Sequence, residues 1–149
     1  MSDLTFSVKG HSNSSAQFVA EARQFRLTID EPHDLGGSDE DANPVEYILA
    51  GLAGCLNVIG HLVAKELGFE IQKLKIEVSG TLNPNKLLGV SDKERAGFKE
   101  INLNLIPETN VSIETLVGWL KIVKERCPVK DNLTNSTTVN VAVEKRYVN

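Results

Sequence analysis

Asn43-Pro44-Val45-Glu46-Tyr47-Ile48-Leu49-Ala50-Gly51-Leu52-Ala53-Gly54-Cys55-Leu56-Asn57-Val58-Ile59-Gly60-His61-Leu62-Val63-Ala64 is the stretch on which the fold turns. Asn is a good N-cap, Pro suits the first helical position, and Glu three residues after the cap completes a capping-box variant. The spacing predicts a helix that runs to Leu67, about 24 residues or roughly 36 Å, with Gly68 as its stop. Tyr47 to Ala64 is 18 residues without a formal charge, the lower limit for a membrane span. Asn57 and His61 lie inside it, glycines at 51, 54 and 60 interrupt it, and flanking anchors are missing. A helix apolar nearly all round is otherwise a buried central helix, which is the expectation here.

That helix has two different faces at 100° per residue. Ile48, Leu52, Cys55, Ile59 and Leu62 form a bulky row, and Glu46, Ala50, Gly54, Asn57, His61 and Lys65 form a small and polar one. Each interior glycine costs about 1 kcal/mol against Ala, so a close neighbour is expected there.

Outward from the helix, apolar residues alternate at Leu4, Phe6 and Val8 and again at Phe25, Leu27 and Ile29, with Ala16 to Ala20 a weaker strand between them. Leu74, Ile76, Val78, Gly80 and Leu82 alternate with polar residues, as do Ile101, Leu103 and Leu105, across a long connection from Asn83 to Gly97. Ser112 caps a second helix with the stripe Ile113, Leu116, Val117, Leu120 and Val123; Cys127 continues it, and Pro128 bars the helix from passing unbroken. Val139, Val141 and Val143 predict a C-terminal strand. Strands, helix, strands, helix, strand reads as α+β in a single domain over residues 1–149.

Composition narrows the function. The chain has 149 residues, 41% of them hydrophobic, enough for an ordinary core and against disorder. Net charge is −4, where a nucleic-acid binder normally shows a basic excess, and six acidic residues (Asp30, Glu31, Asp34, Asp39, Glu40, Asp41) fall in one stretch without Lys or Arg. A solvated loop is expected there rather than a metal site, since the stretch has no EF-hand pattern and His11, His33 and His61 lack ligand spacing. The N-terminus shows no secretory pattern, so the expected address is cytoplasmic.

The two cysteines, Cys55 and Cys127, stand 72 positions apart, in neither C-x-x-C nor zinc-finger spacing. From the first helix alone Cys55 reads as a core cysteine. Cys127, however, ends the apolar stripe of the second helix, whose largest available partner is the first helix. That packing allows, without fixing, the Cα separation of about 4.4–6.8 Å that a disulfide needs. A pair of buried thiols in a reducing compartment is more often catalytic or redox-sensing than permanently bridged.

At Asn43-Pro44-Val45-Glu46 through Cys55 the sequence resembles the OsmC/Ohr family of osmotically inducible and organic-hydroperoxide-resistance proteins, whose pattern is Pro-x-Glu, an Ala/Gly-rich helix, and Cys nine residues after the Glu. Arg126-Cys127-Pro128-Val129 is similar to the family's second-cysteine site, and Lys9-Gly10 fits as well. The resemblance implies an α+β, intertwined homodimer with antiparallel sheets packed around two long central helices and with its sites at the subunit interface. It implies a peroxiredoxin-like thiol peroxidase: Cys55 attacks an organic hydroperoxide and becomes a sulfenic acid, and Cys127 resolves it as a disulfide. No bound cofactor is implied; a dithiol reductant, lipoyl-linked in some relatives, regenerates the enzyme. Nucleic acid and membrane are not among the expected partners.

The pattern departs from the family in one place. Hydroperoxide reductases of the family pair an Arg near the first turn with a Glu directly after the Pro; here that position is Val45, and Gly10 to Ser15 has no Arg. Arg23, Arg26, Arg95 and Arg126 are the candidate replacements. Glu46 matches the broader family Glu, yet nine residues is 900°, opposite Cys55 on a straight helix, and that geometry favours a capping-box partner over a site residue. Two other readings stand beside the enzyme: a non-catalytic redox-sensing or small-ligand-binding stress protein, and a structural dimer with inert thiols. Arg126 and Lys130, beside Cys127, leave open which thiol is the nucleophile.

Overall fold

The computed structural model describes residues 1–148; Asn149, the last residue of the expected domain, lies outside them. The architecture is mixed α and β with antiparallel sheets. Strands β1 (Lys9–Ser12), β2 (Phe18–Ala22) and β3 (Phe25–Ile29) form a meander in that order. Gly10 pairs with Ala20, and Ala20 with Leu27. Helix α1 spans Pro44–Glu66; strands β4 (Lys73–Thr81) and β5 (Glu100–Glu108) form a second, two-stranded sheet, followed by α2 (Ile113–Arg126) and α3 (Pro128–Thr134). At the two ends of the β4–β5 ribbon the Gln72 N–H donates to Glu108 O at 2.9 Å and the Lys99 N–H to Thr81 O at 2.7 Å.

Two compact units divide the chain, one of Met1–Ala53 with Ile76–Asn104, the other of Gly54–Lys75 with Leu105 onward, so the boundary falls within α1, β4 and β5. Buried side chains of the first include Val19, Ala20 and Leu52; those of the second include Leu56, Val63, Ala64, Ile71, Trp119 and Val123.

The first helix begins as its sequence dictates. The Glu46 N–H donates to Asn43 Oδ1 and the Asn43 N–H to a Glu46 carboxylate oxygen, both at 2.9 Å. This reciprocal box satisfies donors that a helix start otherwise leaves orphaned. The helix is long and apolar enough to cross a membrane by length and composition. Within the chain it is buried on one side only: Leu52, Leu56, Val63 and Ala64 are covered, whereas Ile48, Val58 and Leu62 are exposed. The expected bulky row is therefore split, because the buried stripe advances through Gly60 to Val63 and Ala64 rather than through Leu62.

Gly60 meets the expectation of a close neighbour. An added Cβ would stand 3.1 Å from Trp119 Cζ2 and 3.0 Å from Leu74 Cδ2. The Trp119 indole N–H donates to Gly60 O at 2.8 Å, which ties α2 to the middle of α1. Gly51 and Gly54 have open space where a Cβ would be.

Three further expectations need correction. The strand expected over residues 4–8 lies instead at Lys9–Ser12, with Leu4, Phe6 and Val8 at 70, 87 and 62% exposure. No strand forms at 139–143, where the three valines are 78–95% exposed. Alternation marks a face to be buried, and in one chain neither segment finds a strand to pair with. The third correction concerns the acidic stretch, which is not uniformly solvated. Asp30 is fully buried and accepts the N–H groups of Glu31, Ser38 and Glu40 and the amide of Gln17, at 2.8–3.3 Å. Burial alone would raise this carboxyl, and the four donors outweigh it, holding it below the ordinary range.

Candidate active site

A cysteine directly before a proline is driven out of helical geometry, because the ring crowds the preceding residue. Cys127 accordingly ends α2 with extended backbone (φ −79°, ψ 110°), and Pro128 opens α3 at the position where its missing N–H costs nothing. The short third helix was not foreseen; the Cys-Pro pair was the signal for it. The break puts the Cys127 side chain at the head of α3, where its sulfur accepts the Lys130 N–H at 3.4 Å.

The same break brings Cys127 to Cys55. Their sulfurs lie 3.0 Å apart, the Cys127 S–H donating to Cys55 Sγ, although 72 positions separate them. Both are free thiols. Cys127 is 1% exposed, while Cys55 on α1 is only half-buried. Closing the pair to a disulfide requires an approach of about 1 Å, down to the 2.03–2.05 Å of an S–S bond.

Burial pushes the Cys55 thiol up, and Cys127 beside it adds to that; the Val129 N–H, directed at Cys55, acts the other way. The two sulfurs thus receive one backbone N–H each from consecutive residues, Val129 and Lys130. These donors were not legible as site groups, since any residue type supplies them.

Two of the four candidate cations, Arg126 and Arg23, have partners of their own. Arg126 grips Glu66 with two hydrogen bonds, at 2.5 and 3.2 Å, linking the ends of α2 and α1. Arg23 lies over the Phe25 ring, 5.0 Å from its centroid. Glu46 sits in its capping box, about 14 Å along the helix from Cys55 at 1.5 Å per residue. His61 is exposed. Ser112 and Trp119 are structural, the first accepting the Thr115 N–H as the cap of α2.

Known proteins resemble this chain in sequence and in fold. Residues 37–142 match the family model described as OsmC-like protein. A protein of Mycoplasma pneumoniae named hydroperoxide reductase is 25% identical over 148 residues, covering 98% of this chain and 99% of its own. A Mycoplasma genitalium protein of the same name is 23% identical, over 95 and 96% of the two chains. Among solved structures, an OsmC-like protein from Mycoplasma pneumoniae superposes with a TM-score of 0.77 at 25% identity, over 89% of each chain. An organic hydroperoxide resistance protein from Legionella pneumophila does so with 0.65 at 19% identity, over 90 and 92%. With the family model spanning most of its length, the chain belongs to the OsmC-like proteins.

Proposed function

We propose that this protein reduces hydroperoxides, organic ones especially, with Cys55 as the attacking thiolate and Cys127 as the resolving thiol. The observation that carries the reading is the 3.0 Å contact between two free thiols of unequal access. Peroxide must reach the first sulfur, and Cys55 is the more exposed; the second need only reach the first, and Cys127 is buried against it. Attack by the Cys55 thiolate on the O–O bond leaves a sulfenic acid and releases an alcohol, and Cys127 then closes the disulfide with loss of water. A dithiol reductant returns both thiols, which suits a cytoplasmic address.

The homodimer belongs to the same proposal. Leu4–Val8 and Val139–Val143 alternate without a partner strand in this chain, and α1 leaves Ile48, Val58 and Leu62 exposed beside the open Gly51 and Gly54. A second copy covers such surfaces at one stroke and encloses the half-exposed Cys55 at the interface. An enclosed site strengthens any donor or cation supplied to the thiolate.

The upward push on Cys55 favours a second reading, a redox sensor whose thiols oxidise slowly and without turnover. Peroxide consumption with a small dithiol as reductant separates the two. Sustained consumption of cumene hydroperoxide that outlasts several protein equivalents is expected. Disulfide formation without turnover would replace the enzyme by the sensor.

A further inference from the structure

The contact between the two sulfurs is a hydrogen bond before it is a disulfide, and its direction gives the second cysteine work in the first step. Cys127 Sγ donates to Cys55 Sγ across 3.0 Å, and the backbone N–H groups of Val129 and Lys130 each reach one of the two sulfurs. A lone thiolate buried among aliphatics is costly, whereas a thiolate that accepts an S–H and an N–H is not lone. Of the charged side chains on the adjoining segments, Arg126 is turned to Glu66 and Asp131 accepts from Asn135, while the two sulfurs stand in direct contact with each other.

We propose that Cys55 and Cys127 share one proton as a single acid–base unit, so that Cys127 positions and activates Cys55 for peroxide attack in addition to resolving it. This rests on the peroxidase reading and assigns the donor that the absent family Arg leaves open. Attack begins once the pair has given up one proton to solvent: Cys55 is then the thiolate and the Cys127 S–H is its donor. Cys55 sulfur attacks the terminal oxygen of the hydroperoxide. The O–O bond breaks, Cys55 becomes a sulfenic acid, and the alkoxide leaves and takes a proton from water. Cys127 sulfur then attacks Cys55 sulfur; the S–O bond breaks, and the hydroxyl leaves as water with the proton that Cys127 had been donating. Two thiol sulfurs are oxidised to the disulfide and one hydroperoxide is reduced to an alcohol.

A purely resolving cysteine would be dispensable in the first step, whatever replaced it. A shared proton predicts otherwise. Thiolate absorbance of the wild-type protein, followed against pH without peroxide, should rise in two steps separated by more than about one pH unit, because the first thiolate is held by the remaining thiol. The single step of Cys127→Ala should fall between the two, while Cys127→Ser, which keeps an O–H donor, should stay near the first. With one equivalent of cumene hydroperoxide, trapping of the Cys55 sulfenic acid should be roughly tenfold slower in Cys127→Ala than in Cys127→Ser. Equal trapping rates in the two variants, or one superposed wild-type step for both thiols, overturns the proposal. Should Cys127→Ala fail to fold, the wild-type titration decides alone. Turnover with a superposed step keeps the enzyme and overturns the shared proton; two steps without peroxide consumption keep the shared proton and overturn the enzyme.

Discussion

Asp30, fully buried, and Cys55, half-buried, are two acids that the fold treats in opposite ways. Asp30 accepts three backbone N–H groups and the Gln17 amide, and its carboxyl ends below the ordinary range although it is fully buried. Cys55 accepts one backbone N–H and one thiol, and its own thiol ends above the ordinary value. Burial penalises both; the supply of donors decides the outcome. Asp30 is a finished structural site that wraps the loop Glu31–Asp41 around itself. Cys55 is exposed in part, and in the proposed function a partner subunit, a substrate or a shared proton completes it.

The largest effect that would sharpen this contrast is on activity. Cys55→Ser should abolish peroxide consumption, whereas Cys127→Ser should consume about one equivalent, leave a sulfenic acid that dimedone traps, and then stall or overoxidise. If Cys127→Ser lost the first turnover and Cys55→Ser kept it, the roles would be reversed.

Next in size is the loss of stability at the finished site. Asp30→Ala strands three part-buried backbone donors and should lower the Tm by roughly 5 °C or more, with peroxide chemistry per folded molecule intact. The sign of its pH dependence follows from a depressed pKa. Asp30 contributes stability fully above its ordinary value of 3.8, and that contribution is lost as pH falls through the lower value of the folded state. Cys55 behaves in the opposite sense: its raised pKa stabilises below the ordinary value of 9.0, and that part is lost as pH climbs through the folded value. Urea midpoints measured from acid to alkaline pH should therefore fall at both ends, with Asp30→Asn flattening only the acid limb.

Smaller changes probe the faces of α1. Gly54→Leu, at a position open within one chain, should weaken a homodimer by about 1–3 kcal/mol through overpacking. A wild-type monomer in light scattering at micromolar concentration would remove the dimer from the proposal. Trp119→Phe loses the 2.8 Å bond to Gly60 O and should cost about 1 kcal/mol in urea unfolding.

Much of the fold was legible because local chemistry and tertiary burial agree. Asn43-Pro44-Val45-Glu46 places the start of α1, and Gly68 places its end to within a residue. The β4 alternation from Leu74 and the Ser112 cap fix the later elements in the same way. The meeting of Cys55 and Cys127 followed from two apolar stripes with one natural way to bury each other. The misses lie where the deciding partner is distant or faceless. Leu4–Val8 and Val139–Val143 carry a strand pattern but not the strand to pair with. Asp30 looked like its acidic neighbours, since the donors that distinguish it are backbone groups. The Val129 and Lys130 N–H groups were hidden for the same reason, and only Pro128 hinted that a helix begins there.

Non-reducing peptide mass spectrometry after one equivalent of cumene hydroperoxide tests the paired-thiol chemistry most directly. We predict a cross-linked peptide pair joined through Cys55 and Cys127 within a single chain, restored to two free thiols by a dithiol. Recovery of both cysteines as free thiols after the oxidant would contradict the enzyme and the sensor alike.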